Sequence, residues 1–388
     1  MIIPVYPDRG LTFVEGDGVY LTEAGGGRYL DLTSGYGVAI SGYGHPRLRE
    51  CLERQLHRLP TLHGSFANDT RAKAARTLLS RCGGGLARLL FSNSGAEANE
   101  AALKFAALAT GKKRFVACQG GYHGKTLGAL SATDGAQYRR AFEPLVWDFQ
   151  FVPYGDAGAL AVAIDGKTAA FIVEPIQGES GVRLPPAGYL RQAAHICRSR
   201  GVLMIVDEIQ TGTGRTGTFL ASQPEGLSAD ILTLGKGLGG GLPVGVTLVS
   251  AEVAQAIPKG AHTSTMGGNP LAAAGVLATL EFLDEARLAY ITELGKYFLD
   301  SLNSLAGPLI KDIRGRGLMI GIEVACSRDA VLKALQKERV LAIPAGDSVV
   351  RFLPPYILEK THVDILCEKL GRILASPLLE TIRPCAVS

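Results

Sequence analysis

Between about residues 44 and 270 the sequence alternates short, continuously apolar runs with longer stretches whose apolar residues recur at helical spacing. Few folds accept that alternation. Buried parallel strands cannot be joined by tight turns and need crossover helices, so the pattern predicts an α/β unit with a mostly parallel sheet and flanking helices. Six runs read as its strands: 88–93 (RLLFSN), 114–119 (RFVACQ), 169–174 (AAFIVE), 202–207 (VLMIVD), 231–235 (ILTLG) and 244–249 (VGVTLV). Most have no polar alternation and hence no face to offer to water. The N-terminal GDGVYLTEAGGGRYLDL differs: it alternates around a glycine-rich turn at 25–27 and predicts an antiparallel hairpin outside the main sheet. Beyond 272, LAAAGVLATLEFL predicts a long helix, RGLMIGIEVA a strand, and Thr361 the N-cap of a final helix. The expected division is a large unit over 44–272 and a smaller α+β unit built jointly from 1–43 and 273–388.

With 388 residues, 47% of them hydrophobic and 20% charged, the chain can bury a large core and lacks the composition of a disordered protein. A formal charge of +4 with no basic run argues against a nucleic-acid partner. The cysteines at 51, 82, 118, 197, 326, 367 and 385 form no CxxC, and the histidines form no HxxxH, so no metal is expected and the thiols are read as reduced. The opening MIIPVYPDRG lacks the build of a signal peptide, and no apolar run reaches the roughly 18 residues of a membrane span. A cytoplasmic chain without a membrane partner is expected.

In open α/β sheets ligands bind beyond the carboxyl ends of the strands, and those are where this sequence turns reactive. The first run leads to Ser94-Gly95-Ala96, the second to Tyr122, the third to Glu174, the fourth to Asp207 and the fifth to Lys236. SNSGAEANEAALKF puts a small loop at a helix start, where unpaired N–H groups and the helix dipole favour a phosphate; Ser94-x-x-Glu97 equally spells a capping box. Asp207 ends a buried strand, so its carboxylate needs a strong partner, either a protonated pyridine nitrogen or the backbone of the next turn. Lys236, wedged between an apolar run and a glycine-rich turn, is placed for the depressed pKa that an imine-forming amine requires.

Two motifs mislead. Gly212 to Gly217 spells GxGxxG, but its acidic residue precedes it and no clear helix follows. Gly124-Lys125-Thr126 resembles the end of a phosphate-binding P-loop, yet Gln119 stands where the first glycine should be.

NSGAEANEAALKFA, YHGKTLGALSAT, VEPIQGESGV, VDEIQTGTGRTG, TLGKGLGGGLPVG and STMGGNPLAAA together resemble the class III, fold-type I aminotransferases, from about residue 5 to 370. Within the class the chain is most similar to the acetylornithine, ornithine and acylated-lysine branch. The resemblance implies pyridoxal 5′-phosphate as cofactor, held as a Schiff base by Lys236, which also shuttles the substrate proton. It gives Asp207 the pyridinium nitrogen, Gln210 the 3′ oxygen, Tyr122 the ring face with His123 and Glu174 beside it, and Ser94, Gly95 and Ala96 the phosphate. Thr265 is implied to reach the phosphate of a neighbouring subunit, hence a homodimer with shared sites. On the substrate side Arg351 forks onto the α-carboxylate, Glu179 pairs with Arg351 when an amine lacking that carboxylate is bound, and Tyr36 lines the donor site.

The implied reaction moves the terminal amine of an N-acylated ornithine or lysine to 2-oxoglutarate, giving a semialdehyde and glutamate. One departure stands out: the family's usual HGRT reads His123-Gly124-Lys125-Thr126 here. Lys125 keeps the charge for a distal carboxylate but loses the bidentate fork, a variant similar to diamine aminotransferases. A putrescine/diamine or ornithine aminotransferase is therefore the nearer alternative, and an aminomutase or racemase on the same scaffold the more distant one.

Overall fold

The computed structural model describes residues 2–376, which form three sheets. The first begins with an antiparallel meander of β1 (Phe13–Asp17), β2 (Tyr20–Glu23) and β3 (Arg28–Asp31). The hairpin expected here is thus extended by a further strand, and its turn is made by residues 24–27, with Gly26 in the left-handed region at φ 84°.

The central sheet contains β4 (Leu86–Ser92), β5 (Arg114–Cys118), β6 (Asp148–Val152), β7 (Thr168–Val173), β8 (Leu203–Asp207), β9 (Ile231–Leu234) and β10 (Gly245–Ser250). Their spatial order is β4-β10-β9-β8-β7-β5-β6. β10 runs antiparallel to both neighbours, while β5, β6, β7, β8 and β9 pair in parallel. Because β10 reverses between them, β4 and β9 point the same way, and the carboxyl ends of β4, β5, β7, β8 and β9 share one edge of the sheet. All six expected runs are strands of this sheet, with no end displaced by more than two residues.

β7 is buried along its whole length, as its unbroken apolar sequence demands. Phe115, Ala117, Ile172 and Ile205 pack on one face of the sheet; Val116, Phe171, Val173, Met204 and Val206 pack on the other. Each large side chain so buried contributes roughly 1.5–3 kcal/mol. The helix Gly95–Thr110 lies on the first face, where buried alanines at 98, 101, 102 and 106 allow its backbone a close approach. β6 went unanticipated because it is an edge strand: in DFQFV, Phe149 and Phe151 stack on one side while polar residues alternate with them, so no continuous apolar run results.

The third sheet comprises β11 (Ile310–Arg316), β12 (Met319–Val324), β14 (Ile343–Ala345) and β15 (Val349–Phe352), in the order β11-β12-β15-β14. β12 is the strand expected in RGLMIGIEVA. Between these strands, β13 (Val340–Leu341) departs to pair in parallel with β3, Val340 opposite Leu30 and Leu341 opposite Asp31. The two ends of the chain therefore share the first sheet. The apolar stretch after 270 forms the helix Pro270–Phe282, with Pro270 in its first turn and the Asn269 side chain accepting the Ala272 N–H at 3.0 Å.

The last helix, Lys360–Leu374, corrects one expectation: its cap is Glu359, not Thr361. Glu359 is the last extended residue, and its N–H donates to His362 Nδ1 at 3.0 Å, while Thr361 already lies inside the first turn. Cys385 lies outside the described residues; the other six cysteines are unpaired. Among the described residues no group of His, Cys, Asp or Glu is arranged to hold a metal, and no helix is long and apolar enough to cross a membrane.

Candidate active site

The shared strand edge encloses a cavity of about 300 Å³ lined by Gly95, Ala96, Tyr122, His123, Gly124, Lys125, Glu174, Asp207, Ile209, Gln210 and Lys236. At its floor Asp207 is 3% exposed. Its Oδ2 accepts from Asn99 Nδ2 at 2.8 Å and His123 Nδ1 at 2.7 Å, and its Oδ1 accepts the Ile209 N–H at 3.0 Å. Burial alone would lower the pKa of His123, but the hydrogen bond and charge of Asp207 overcome it and raise the imidazole, so His123 is the donor of this pair. Asn99 is fixed in turn, accepting from Thr233 Oγ1 at 2.9 Å and donating to the His123 carbonyl at 2.7 Å. The carboxylate is thus aimed by a fully bonded surround.

Lys236 opens a one-turn 3-10 helix, Lys236–Gly239, with a positive φ of 47°. Burial holds its ammonium below the ordinary lysine range; Glu179 pulls back upward and Arg351 adds to the depression. A desolvated amine of this kind is the neutral nucleophile that imine formation needs.

At the end of β4, Ser94 caps the helix Gly95–Thr110 through an Oγ that accepts the Glu97 N–H at 3.2 Å, and the Glu97 carboxylate reaches back to the Asn93 N–H. Only half of the expected capping box forms, because the Glu97 carboxylate takes the N–H of Asn93 and not that of the cap Ser94; the Gly95 and Ala96 N–H groups are left without an acceptor among the described residues. Both residues line the cavity, at the positive end of the helix dipole. A side chain at 95 would press on Ile209 at 2.8 Å, which explains the glycine.

Glu174 closes β7 and accepts the N–H groups of Tyr122 at 3.0 Å and Gly178 at 3.3 Å. Burial, opposed by His123 and reinforced by Asp207, pushes its carboxyl up to about 7. A carboxyl raised by folding binds its proton more tightly in the native state, so its contribution to stability is present at acid pH and lost as pH rises from the ordinary carboxylate range through 7. Glu174→Gln, which keeps an acceptor and cannot ionise, should therefore gain in stability relative to the parent between pH 5 and 8, by on the order of 3 kcal/mol at most. Thermal melts of the two cofactor-bound proteins at several pH values test this; a pH-independent difference would overturn it.

Above the floor stands a polar cluster contributed by three separate segments. Arg351, on β15, is wholly buried; its Nη1 donates to Glu179 Oε1 at 2.8 Å and Gln210 Oε1 at 3.0 Å, and its Nη2 to the Pro344 carbonyl at 3.4 Å. The guanidinium Nε has no partner, an unused donor in a buried site. Glu179 sits partly open, 27% exposed at its side chain. Burial would raise its carboxyl, but Arg351 and Lys236 hold it below the ordinary range, so the pair is ionic.

Of the residues singled out from sequence, Gly95, Ala96, Tyr122, His123, Lys125, Glu174, Asp207, Gln210 and Lys236 line one cavity, and Glu179 and Arg351 join it through Gln210. Ser94 is exposed and caps the helix; it is not among the residues that line the cavity. Tyr36 is 49% exposed and Met266, next to Thr265, 51% exposed; neither Tyr36 nor Thr265 lines the cavity. Lys125 is exposed at the rim, its Nζ 5.4 Å from the centroid of Tyr138, whose ring meets Tyr122 edge-on.

Three contributors escaped sequence reading. Asn99 had a signal, as the polar residue on the alanine-rich buried face of its helix. Ile209 lines the cavity and fills the space a side chain at Gly95 would need. Glu208, completely buried, accepts from Thr211 Oγ1 at 2.6 Å, from Ser222 N at 2.8 Å and Oγ at 2.7 Å, and from Ala221 N at 3.1 Å; it closes the loop after β8. The GxGxxG of Gly212–Gly217 falls in that same loop, where only a one-turn 3-10 helix, Gln223–Glu225, follows and a side chain at Gly214 would meet Leu283 and Tyr356.

The donor set fits one group. A carboxylate with a free face for a ring N–H, a desolvated lysine, two open N–H groups at a helix start and an aromatic wall match the pyridine nitrogen, aldehyde, phosphate and ring of pyridoxal 5′-phosphate. Fold and site together define a pyridoxal-phosphate enzyme of fold type I. Comparison with known proteins takes this further: residues 6–374 match the family model "Aminotransferase class-III", and the chain belongs to that family of transaminases. It is 42% identical to the acetylornithine aminotransferase of Methanopyrus kandleri over 94% of each chain. It is 41% identical to the [LysW]-aminoadipate semialdehyde/glutamate semialdehyde transaminase of Sulfurisphaera tokodaii, over 93% of this chain and 94% of that one. The ornithine aminotransferase structure from Toxoplasma gondii superposes with a TM-score of 0.92 at 36% identity, covering 96% of this chain and 92% of that one.

Proposed function

We propose that this aminotransferase is ω-specific, moving the terminal amine of an N-acylated ornithine or lysine to 2-oxoglutarate. The Glu179–Arg351 ion pair carries the reading. A transaminase that alternates between a dicarboxylate and an amine whose reacting carbon bears no carboxylate needs an arginine in one half-reaction and must neutralise it in the other. A buried arginine with a partly open glutamate at 2.8 Å provides both states. When glutamate or 2-oxoglutarate enters, Glu179 yields and Arg351 offers its fork to the α-carboxylate. When the ω-amine enters, Glu179 re-engages and the buried cation is never left unpaired.

The bound cofactor supplies an electron sink for the carbon that carries the amine. Lys236 Nζ binds the cofactor, and then takes the proton from that carbon and delivers it across. Asp207 would hold a proton on the ring nitrogen, Gly95 and Ala96 would hold the phosphate with Ser94 fixing their helix start, Gln210 would meet the 3′ oxygen, and Tyr122 and Ile209 would confine the ring. The motif resemblance implies, in the same reading, a cytoplasmic homodimer in which Thr265 completes the partner's phosphate site and Tyr36 faces the donor.

A donor series of acetylornithine, ornithine, lysine, putrescine and 4-aminobutyrate, read by loss of the cofactor's visible absorbance, tests the substrate. Absence of response to every ω-amine would sink the proposal, and release of free 2-oxoglutarate from glutamate excludes a mutase or racemase. In the same assay Arg351→Lys should weaken the glutamate half-reaction by on the order of a hundredfold while sparing the ω-amine side, because the bidentate contact is made only to the dicarboxylate. Equal losses on both sides would contradict the switch. A diamine donor is the second reading, favoured by Lys125, whose ammonium rests on Tyr138 and presents no fork. Faster reaction with putrescine than with acetylornithine would decide for it.

A further inference from the structure

Arg215 is among the most deeply buried side chains of the protein, 1% exposed, yet no carboxylate among the described residues pairs with it. Its Nη1 donates to the carbonyls of Leu318 at 3.0 Å and Pro354 at 2.6 Å, its Nη2 to Ser34 Oγ at 3.4 Å, and its plane lies 4.6 Å from the centroid of Tyr356. A buried cation held only by neutral groups is a costly arrangement, and its partners come from three distant stretches of the chain.

The stretch it reaches at Ser34 is unusual in its own right. Ser34, Gly35, Tyr36 and Gly37 have φ values of 42°, 60°, 63° and 84°. Non-glycine residues enter this region only where their surroundings impose it. Here the imposing bonds are visible. Ser34 Oγ donates to the Leu353 carbonyl at 2.6 Å, Thr33 Oγ1 donates to Asp31 at 2.6 Å and accepts the Gly35 N–H at 3.2 Å, and Tyr43 also donates to Asp31 at 2.7 Å. The turn packs against the Lys236–Gly239 helix, and Ile40, just beyond it, fills the space a side chain at Gly237 would need. Leu353, two residues past Arg351, lies 3.5 Å from where a side chain at Gly37 would begin.

We propose that Arg215 is a positioning residue for the amine donor: it pins the left-handed turn Ser34–Gly37 beside Lys236 and so fixes where Tyr36 meets the donor. This rests on the donor reading above. The planar fork is essential because it serves Leu318, Pro354 and Ser34 at once while stacking on Tyr356, and a lysine ammonium cannot do so.

The test uses the cofactor-bound enzyme and its two half-reactions, one with the amine that the donor series selects and one with glutamate. Arg215→Lys should lower kcat/KM for the amine roughly tenfold, mainly through KM, with less than about a threefold change for glutamate, whose carboxylate answers to Arg351. Ser34→Gly adopts the same φ freely and deletes the hydroxyl that joins the turn to both Arg215 and the Leu353 carbonyl, so it should shift the amine side in the same direction and carries the test if Arg215→Lys does not fold. Parallel loss of both half-reactions together with the thermal midpoint would show a merely structural arginine, and no change in either variant would equally overturn the proposal. Failure of the parent enzyme with every amine would instead defeat the donor reading beneath it.

Discussion

Lys236→Ala is expected to leave a folded protein that binds pyridoxal phosphate weakly and transaminates at least roughly 10⁴-fold more slowly than the parent. Two losses combine. The covalent tether disappears, and so does the amine that, among the described residues, is buried in the cavity to carry the proton away from the substrate carbon. Nothing else in the cavity can replace it: Glu174 is tied to two backbone N–H groups, His123 to Asp207, and Lys125 stands at the rim over Tyr138. The fold should tolerate the change, since burial disfavours this ammonium and alanine relieves that cost. Its measure is single-turnover loss of cofactor absorbance with glutamate, beside a thermal melt. Residual turnover above about 1% of the parent would assign the proton to another group.

Asp207→Asn is expected to have the next largest effect, a fall in kcat of roughly 10²- to 10⁴-fold with the cofactor still bound. Removing one partner of a buried ion pair typically costs about 3–5 kcal/mol, and each 1.4 kcal/mol is a tenfold change in rate. The asparagine keeps the shape, but its single oxygen can serve either Asn99 and His123 or the Ile209 N–H and not both, while the ring nitrogen loses the charge that holds its proton. His123 should report the same event independently: without the Asp207 carboxylate, burial prevails and its pKa should drop from a raised to a lowered value, visible by NMR titration. An unchanged imidazole titration would mean that Asp207 does not govern this cluster.

How much of this was legible in the sequence follows from what burial does to residue patterns. Parallel strands covered on both faces must be continuously apolar, so the polar residue that ends each one stands out, and Asp207, Glu174 and Lys236 could be read directly. β6, β11 and β15 could not, because edge and short strands mix polar with apolar residues. Asn99 was legible in principle, since a buried helix face of alanines has no use for an amide unless something beneath it needs a donor. The pairing of Glu179 with Arg351 could come only from resemblance: Glu179 lies in the turn region after β7 and Arg351 on β15 of another sheet, and only the fold brings them to 2.8 Å. Arg215 hid in a glycine-rich motif that suggested nucleotide binding, and only its contacts reveal a brace.

The parallel pairing of β13 with β3 also sets a timetable. On a ribosome, β3 and the turn after it emerge early, but the strand that completes their sheet follows far later, after the whole central sheet has been made. Until Val340 and Leu341 arrive, the edge of β3 is open to other chains, and the Ser34–Gly37 turn lacks the Leu353 carbonyl that holds it. In a nascent chain the strands behind the cofactor cradle are therefore available before the segment that holds the donor-side turn has been made.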